Sequence, residues 1–544
     1  MKVLHKVAAS VLCAAALFSF ASCGSKKSAA GNFLNVMIEV EVESLDPQEA
    51  TDGTSFEVIA NFTDGLKQMA SDGSTIDALC AGETVSADGL TYTFKIRDDA
   101  FWSNGDPVTA DDFVFGWQRA ADPAFASEYS YMLSDIGQIK NSFEVIAGKL
   151  PVEELGVKAL DDKTLQVELN VPVSYFDSIL YFPTFYPVNR KFYESVGDRF
   201  ATSADTVLSN GAFILTDYQP AALSFTLKKN EKYYNAASVK LDGLNYQVLK
   251  DSQQALMAYQ NGTLDIVKLS GDQVDQVKDD AEFKSVGAGY LWYISPMMEK
   301  IPALKNLNLR KAISYALDRE SIVKNVVKDG SMASYTPVPA EFAYNSNGED
   351  FITNQKEFPE LCDSDSAKAL EFFEAAKKEL GQDTFEFEMI LDDTTVQQNV
   401  GAVIKEQIEK VLPGVTIDLR VEPKKQRVLD MQDGSFELAL TRWGPDYADP
   451  MTYLGMWITG NSNNYGLWSN AKYDALIQKC VTGEYAQKPA ERWNTMKEAE
   501  KIVLEDAVIF PVYQQADACM VKANVKGIDF HPVALNRVYK NTSK

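Results

Sequence analysis

Histidine is almost missing from this chain: there are two, His5 and His531. If the first residues are removed as a leader, His531 alone remains. A multi-histidine metal site is then excluded, and a Ser-His-Asp triad would hang on that single imidazole. The six cysteines are equally uninformative as ligands. Cys13 and Cys23 lie near the amino end, and Cys80, Cys362, Cys480 and Cys519 are far apart, in neither CxxC nor zinc spacing. GxSxG, HExxH, P-loop and GxGxxG patterns are all absent, which argues against ATP hydrolysis and dinucleotide binding. No metal and no cofactor is implied. Positive charge is also scarce, with 52 Lys and Arg against 77 Asp and Glu and a formal net charge of −25, which disfavours nucleic acid and anionic lipid headgroups as partners. No block of like charge is long enough to read as a solvated tail.

What is present begins with a secretory pattern. Lys2 and Lys6 are followed by an apolar stretch over 7–21 and then by Ser22 and Cys23, the charged, apolar and small-residue regions of a signal peptide spanning 1–22. The apolar stretch is too short to cross a bilayer comfortably. Cys23, followed by Gly24, Ser25, Lys26 and Lys27, resembles a bacterial lipobox, with Phe20 where Leu is usual, so lipidation of Cys23 is expected. Residues 23–32, rich in Gly, Ser, Lys and Ala, read as a flexible tether. Losing Lys2 and Lys6 would take the net charge from −25 to −27. Export permits disulfides among the four remaining cysteines, and the sequence leaves their pairing open.

Along the body, strand and helix patterns interleave, which predicts an α/β or mixed class. Segment 35–42 reads as a strand closed by the turn Ser44, Leu45, Asp46, Pro47; segment 91–97 alternates as a strand does. Thr109 and Asp112 have capping-box spacing ahead of a helix that buries Phe113, Val114 and Trp117. Further strands are predicted at 165–169, 224–227, 244–249, 415–421 and around 508–513. Helices are predicted at 252–261, 310–317, 321–328, 394–411 and 489–505. There is no internal repeat and no low-complexity linker, which favours lobes assembled from discontinuous segments.

Several stretches are similar to the extracytoplasmic oligopeptide- and dipeptide-binding proteins of ABC importers, solute-binding protein family 5. The clearest is 88–123, DGLTYTFKIRDDAFWSNGDPVTADDFVFGWQRAADP, supported by the 44–47 turn, LGVKALDDKTLQVEL at 155–169, NGTLDI at 261–266, and by 210–213, 308–322, 447–450 and 509–513. The resemblance implies a two-lobed Venus-flytrap fold with an extra subdomain and discontinuous lobes. Lobe I would comprise 33–63, 190–291 and 512–544, the extra subdomain 64–189, and lobe II 292–511. It also implies a monomer that captures short peptides outside the cell and hands them to the permease subunits of an ABC importer, touching the membrane only through its lipid. It implies no enzymatic activity.

A receptor that accepts many peptide sequences must bind what they share: an ammonium, a carboxylate and backbone amides. By resemblance, Asp446 takes the ligand ammonium through a charge-assisted hydrogen bond, and the backbone around Trp443 and Gly444, with Tyr447, pairs with the peptide. Read without the resemblance, Asp446 and Asp449 are turn residues ahead of Pro450. Thr51, Asp52 and Gly53 after the 44–47 turn, and Tyr129 and Tyr131 after the Trp117 helix, are the expected contacts from the facing lobe, the tyrosines being equally readable as core. Trp102 and Trp117 read as core. One departure stands out. Family members carry Arg or His groups that meet the ligand carboxylate, but here 437–441 is Glu-Leu-Ala-Leu-Thr with the first Arg at Arg442, and Gln397 and Gln398 stand where a His is expected. Lys424 and Lys425 are the available substitutes, or simply a solvated pair. Alternative readings are a non-peptide ligand in the same fold (nickel chelate, haem or oligosaccharide), a hydrolase with paired carboxylates, and an adhesin or receptor that has kept the fold.

Overall fold

The computed structural model describes residues 31–544 except 71–73, 174, 346, 483, 487 and 534. The expected signal peptide, Cys23 and nearly all of the tether lie outside the described residues. Among the described residues, no helix is long and apolar enough to cross a membrane.

Two long neighbouring strands organise the molecule. Phe283–Pro296 and Phe510–Val521 run antiparallel through the middle of the largest sheet. Their pairing is interrupted twice: Phe283 to Gly287 pair with Met520 to Ala516, the register resumes only at Leu291 with Gln514, and it shifts again by one residue between Trp292 and Tyr293; the first of these is the longer interruption. The two halves of this ribbon take their further strand neighbours on opposite sides. On one side of the interruption, Ile266–Leu269 adds to the second long strand, followed by Phe33–Ile38, Gly243–Val248, Ser224–Lys229 and Phe213–Leu215. On the other, Leu438–Trp443 adds to the first long strand, followed by Phe385–Asp392 and Val415–Glu422. A ribbon of two strands broken by a bulge is the weakest place in a sheet, because the ladder hydrogen bonds are lost there and the local twist rises. Gly289 sits in the gap with φ +70°, and a methyl group there would overlap the carbonyl oxygen of Pro532. Glycine is required on both counts.

Each half has its own core. Phe387, Met389, Leu391, Ile417, Leu438 and Leu440 face helices Ser366–Leu380 and Thr395–Val411, whose Phe373, Ala376, Val400, Ile404 and Ile408 recur at helical spacing and are buried. Thr394 caps the second of these helices by accepting from the Gln397 amide. The other half shares a core with a separate antiparallel sheet, Cys80–Val85, Thr91–Ile96, Thr164–Glu168 and Val157–Asp161 in spatial order. Helix Ala110–Ala121 packs beside that sheet with its capping box formed, and its Trp117 is fully buried with Nε1 donating to the Phe185 carbonyl at 2.8 Å. Burying such a ring contributes about 1.5–3 kcal/mol. Trp102 is core as well and donates to Asp112 at 2.9 Å.

Several expected elements lie within a residue or two of their predicted bounds, among them Thr91–Ile96, Ser252–Gln260, Thr395–Val411, Val415–Glu422 and Pro489–Glu505. Three differ for physical reasons. The strand expected at 35–42 is Phe33–Ile38, since Gly243–Val248 pairs with it only to Ile38. The helix expected at 321–328 is Arg319–Ile322 continued by a π-helical turn, Val323–Val327, after Asp318 caps it. The last strand runs to Val521, well past the expected 513, because Phe283–Gly287 pairs with 516–520 and Ile266–Leu269 pairs with 518–521, where Ala518 to Val521 are buried. Cys80, Cys362, Cys480 and Cys519 are buried free thiols, so none of the pairings open to them forms.

Candidate functional site

A buried ion pair fixes one wall of the site. Arg119, in the last turn of helix Ala110–Ala121, donates to Asp46 Oδ2 at 2.6 Å and to Gln48 Oε1 at 2.9 Å, so the 44–47 turn is tied to that helix. Ser127 donates to the Gln48 carbonyl at 2.6 Å, which brings the 127–131 segment alongside. The consequence is that two stretches distant in sequence, 51–53 and 129–131, stand together. Asp52 caps helix Gly53–Phe62: its Oδ1 accepts from the Thr54 and Ser55 amides at 2.9 and 3.0 Å. Thr51 is half-buried just before it. Tyr129 lies in an aromatic stack, edge-on to Phe56 at 5.5 Å and face to face with Phe182 at 5.1 Å, and its neighbour Tyr131 is 5.5 Å away.

The opposite wall is the loop after strand Leu438–Trp443. Arg492, from helix Pro489–Glu505, holds it with a two-pronged contact to Asp449 at 2.6 and 2.8 Å. The Tyr453 hydroxyl donates to the Gly289 carbonyl, anchoring the loop to the interruption in the central ribbon. Tyr447 is buried and stacks on Tyr175 at 5.0 Å. Gly444 is covered by the ring of Tyr290, and any side chain at 444 would overlap that ring. The same Tyr290 hydroxyl lies 3.6 Å from where a Cβ on Gly53 would be. Tyr290 therefore touches both walls. It is a site residue that sequence reading missed, because GAGYLWY at 287–293 reads as a loop rather than as the bulge of a long strand.

Asp446 is the chemical centre. Its carboxylate is 8 % exposed, accepts from the Tyr131 hydroxyl at 2.9 Å, and has no Lys or Arg within ion-pair distance among the described residues. Burial therefore pushes its pKa up to about 7, the Tyr131 hydrogen bond opposing this only in part. The phenols of Tyr129 and Tyr131 are held well above their ordinary range by burial and by the nearby Asp446 charge. The contrast with Asp449 is complete: that acid is neutralised by Arg492, so the two acids form no catalytic pair. His531 is buried, with its pKa pushed down to about 4 by burial, and neither ring nitrogen has a hydrogen-bond partner among the described residues. Among the described residues no group of His, Cys, Asp and Glu could hold a metal ion.

Asp446, Gly444, Tyr129, Tyr131, Asp52 and Gly53 thus come together between the two walls, while Tyr447 lies buried behind the loop on Tyr175. Trp443 pairs with Leu291 on the strand that enters the loop, and its indole nitrogen has no protein partner. Gln397, standing where a histidine was expected, donates to the Tyr513 hydroxyl at 2.9 Å. Arg442 stacks on Tyr290 at 4.4 Å and donates to Gln515 at 2.9 Å.

Residues 74–465 match the family described as bacterial extracellular solute-binding proteins, family 5 Middle. The chain is 32 % identical over 529 residues to the dipeptide-binding protein of Lactococcus lactis, covering 94 % of each chain. Among solved structures, Listeria monocytogenes OppA bound to peptide superposes with a TM-score of 0.81 at 35 % identity, covering 94 % of this chain and 99 % of that one. The substrate-binding domain of an oligopeptide ABC transporter from Bacillus anthracis does so with a TM-score of 0.83 at 36 % identity, with the same coverage.

A buried acid without a cation destabilises the empty protein. Because the folded pKa of Asp446 is raised, its favourable state is present below the unfolded value near pH 4 and is lost as pH rises through about 7. Asp446→Asn is accordingly expected to raise the thermal midpoint of ligand-free protein at pH 8 and to leave it unchanged at pH 4, the gain being of order 2 kcal/mol. A lower midpoint at pH 8 would contradict the geometry described.

Proposed function

This chain belongs to the family 5 bacterial extracellular solute-binding proteins, and from that premise we infer that it captures short peptides between its two lobes and delivers them to the permease of an ABC importer. Asp446 carries the reading. A desolvated carboxylate with a hydroxyl donor and no cation is built to receive one, and a peptide α-ammonium supplies both the charge and up to three donors. The half-buried main chain at Gly444, kept free of side chain by Tyr290, is the surface along which an extended peptide backbone pairs. Tyr129 and Tyr131 from the facing wall, with Asp52, Gly53 and Thr51 beside them, complete the contact, and Trp443 and Tyr447 support the loop from behind.

Lobe closure follows from the same contacts. A guest that touches 51–53 and 129–131 on one side and 443–447 on the other stabilises the closed arrangement over the open one. We place the hinge at the interruption in the central ribbon between Gly287 and Leu291, a reading in keeping with lobe boundaries at 291/292 and near 511/512 and with 64–189 riding on lobe I. The protein acts as a monomer outside the cytoplasmic membrane, held there by lipid on Cys23 after removal of 1–22. It performs no catalysis, since its task is to release the ligand intact.

Asp446→Asn should weaken binding of a short peptide by more than about 1 kcal/mol, measured by calorimetry. Wild-type affinity should also fall as pH drops below about 7, because the carboxyl must release its proton to take the ammonium. Equal affinities for the two proteins across that range would remove Asp446 from the role. For the anchor, Cys23→Ser should move the protein from the membrane fraction to the medium or periplasm and abolish incorporation of labelled fatty acid; unchanged membrane retention and labelling would refute it.

A further inference from the structure

The loop that carries Asp446 meets the facing side of the molecule at two places, and a guest docks at only one of them. Tyr131 reaches Asp446 at 2.9 Å. The next residue, Tyr447, is buried, and its ring lies on that of Tyr175 with centroids 5.0 Å apart and planes 17° from parallel. Tyr175 comes from residues 64–189 and Tyr447 from 292–511. On the lobe boundaries proposed above, the stack therefore joins two parts of the protein that separate when the cleft opens.

Both rings stand on rigid supports. Tyr175 opens the short helix Phe176–Ile179, whose Phe176 is buried against Tyr92 of strand Thr91–Ile96 at 4.7 Å, and the Tyr175 hydroxyl donates to the Ile136 carbonyl at 3.3 Å. On the other side, Arg492 grips Asp449 with two bonds, donates to the Cys480 carbonyl at 3.1 Å and lies 5.3 Å from the centre of the Tyr175 ring. Asp449, Cys480 and Arg492 all belong to 292–511, so this ion pair survives separation of the lobes and the loop keeps its shape. What separation breaks is the stack of Tyr175 on Tyr447 and the contact of Arg492 with Tyr175. Each then turns an apolar ring face to water, which is unfavourable. Neither contact is made to a guest, since both rings are buried by protein.

We propose that Tyr175 and Tyr447, with Arg492 beside them, form a latch between the lobes, a contact of protein with protein that favours the closed arrangement whatever the sequence of the peptide and that breaks before the peptide leaves. The role in release rests on the peptide-binding reading; the role in closure does not. A latch of this kind lengthens the stay of every guest by the same factor, because its contribution to the closed state is independent of what the cleft holds. Retention is thereby separated from selectivity, which stays with the groups that touch the peptide.

Tyr175→Leu and Tyr447→Leu each remove one ring of the stack, so that either can serve if the other fails to fold, and Tyr175→Phe keeps the ring while losing the hydroxyl. Release of Ala-Phe-Ala-Ala and of Ala-Gln-Ser-Ala, followed by stopped-flow displacement, is expected to be about fivefold or more faster in each leucine variant, by the same factor for both peptides. The double variant should release them about as fast as either single one, because the rings act as a pair, and Tyr175→Phe should match wild type. Small-angle scattering without peptide should find each leucine variant more extended than wild type, with added peptide bringing all of them to one radius of gyration. Unchanged release in the leucine variants, a factor that differs between the two peptides, or equal radii without peptide overturns the latch and leaves Asp446 recognition standing. If neither peptide binds wild type, the peptide-binding reading falls, and the scattering comparison by itself decides the latch.

Discussion

A carboxylate moved out of water loses solvation that hydrogen bonds from neutral groups restore only in part, and a cation restores far better. Asp446 is in that condition, with one tyrosine hydroxyl and a half-closed protein surface around it. The arrangement is costly in the empty protein and becomes favourable when a positive group arrives, which is how binding energy is stored in a preformed site. Other features can be read as means of keeping Asp446 in this state. Arg492 is spent on Asp449, three residues away, and so does not reach it. Arg119 and Asp46 lock the facing wall, so that Tyr131 is delivered as a donor rather than left to rotate freely.

The same logic explains why the loop is anchored at the weak point of the central ribbon. Tyr453 binds the Gly289 carbonyl and Tyr290 lies over Gly444, so the loop that receives the ligand and the bulge between the lobes are one packed unit. On the proposed reading, a guest that presses on Gly444 acts on the strand segment whose backbone pairing is missing, which would couple binding to the relative arrangement of the two halves through a few contacts.

Much of this was legible from residues alone where local chemistry decides structure. The Thr109 and Asp112 spacing specified a capped helix, and Pro413-Gly414 ended Thr395–Val411 within a few residues. The loop at 443–450 was found through resemblance, since its Asp, Gly and Pro content by itself describes an ordinary turn. What escaped was non-local. Phe283–Gly287 is paired on one side only and is half-buried to exposed, so no alternating apolar face marks it, and the long strand Phe283–Pro296 with Tyr290 within it was invisible. Burial of Asp446 is likewise a property of two walls that meet only in three dimensions.

The central claim is that Asp446, with its pKa raised to about 7 by burial, is largely protonated at pH 6 and ionises when a ligand ammonium docks. Infrared difference spectroscopy at pH 6, with Asp446→Asn as the reference, reads this directly. Adding a short peptide with a free amino terminus should convert a protonated carboxyl band into a carboxylate band that the variant lacks, and the N-acetylated peptide should not do so. An unchanged carboxyl signal on binding, or the same conversion with the acetylated peptide, would contradict the account.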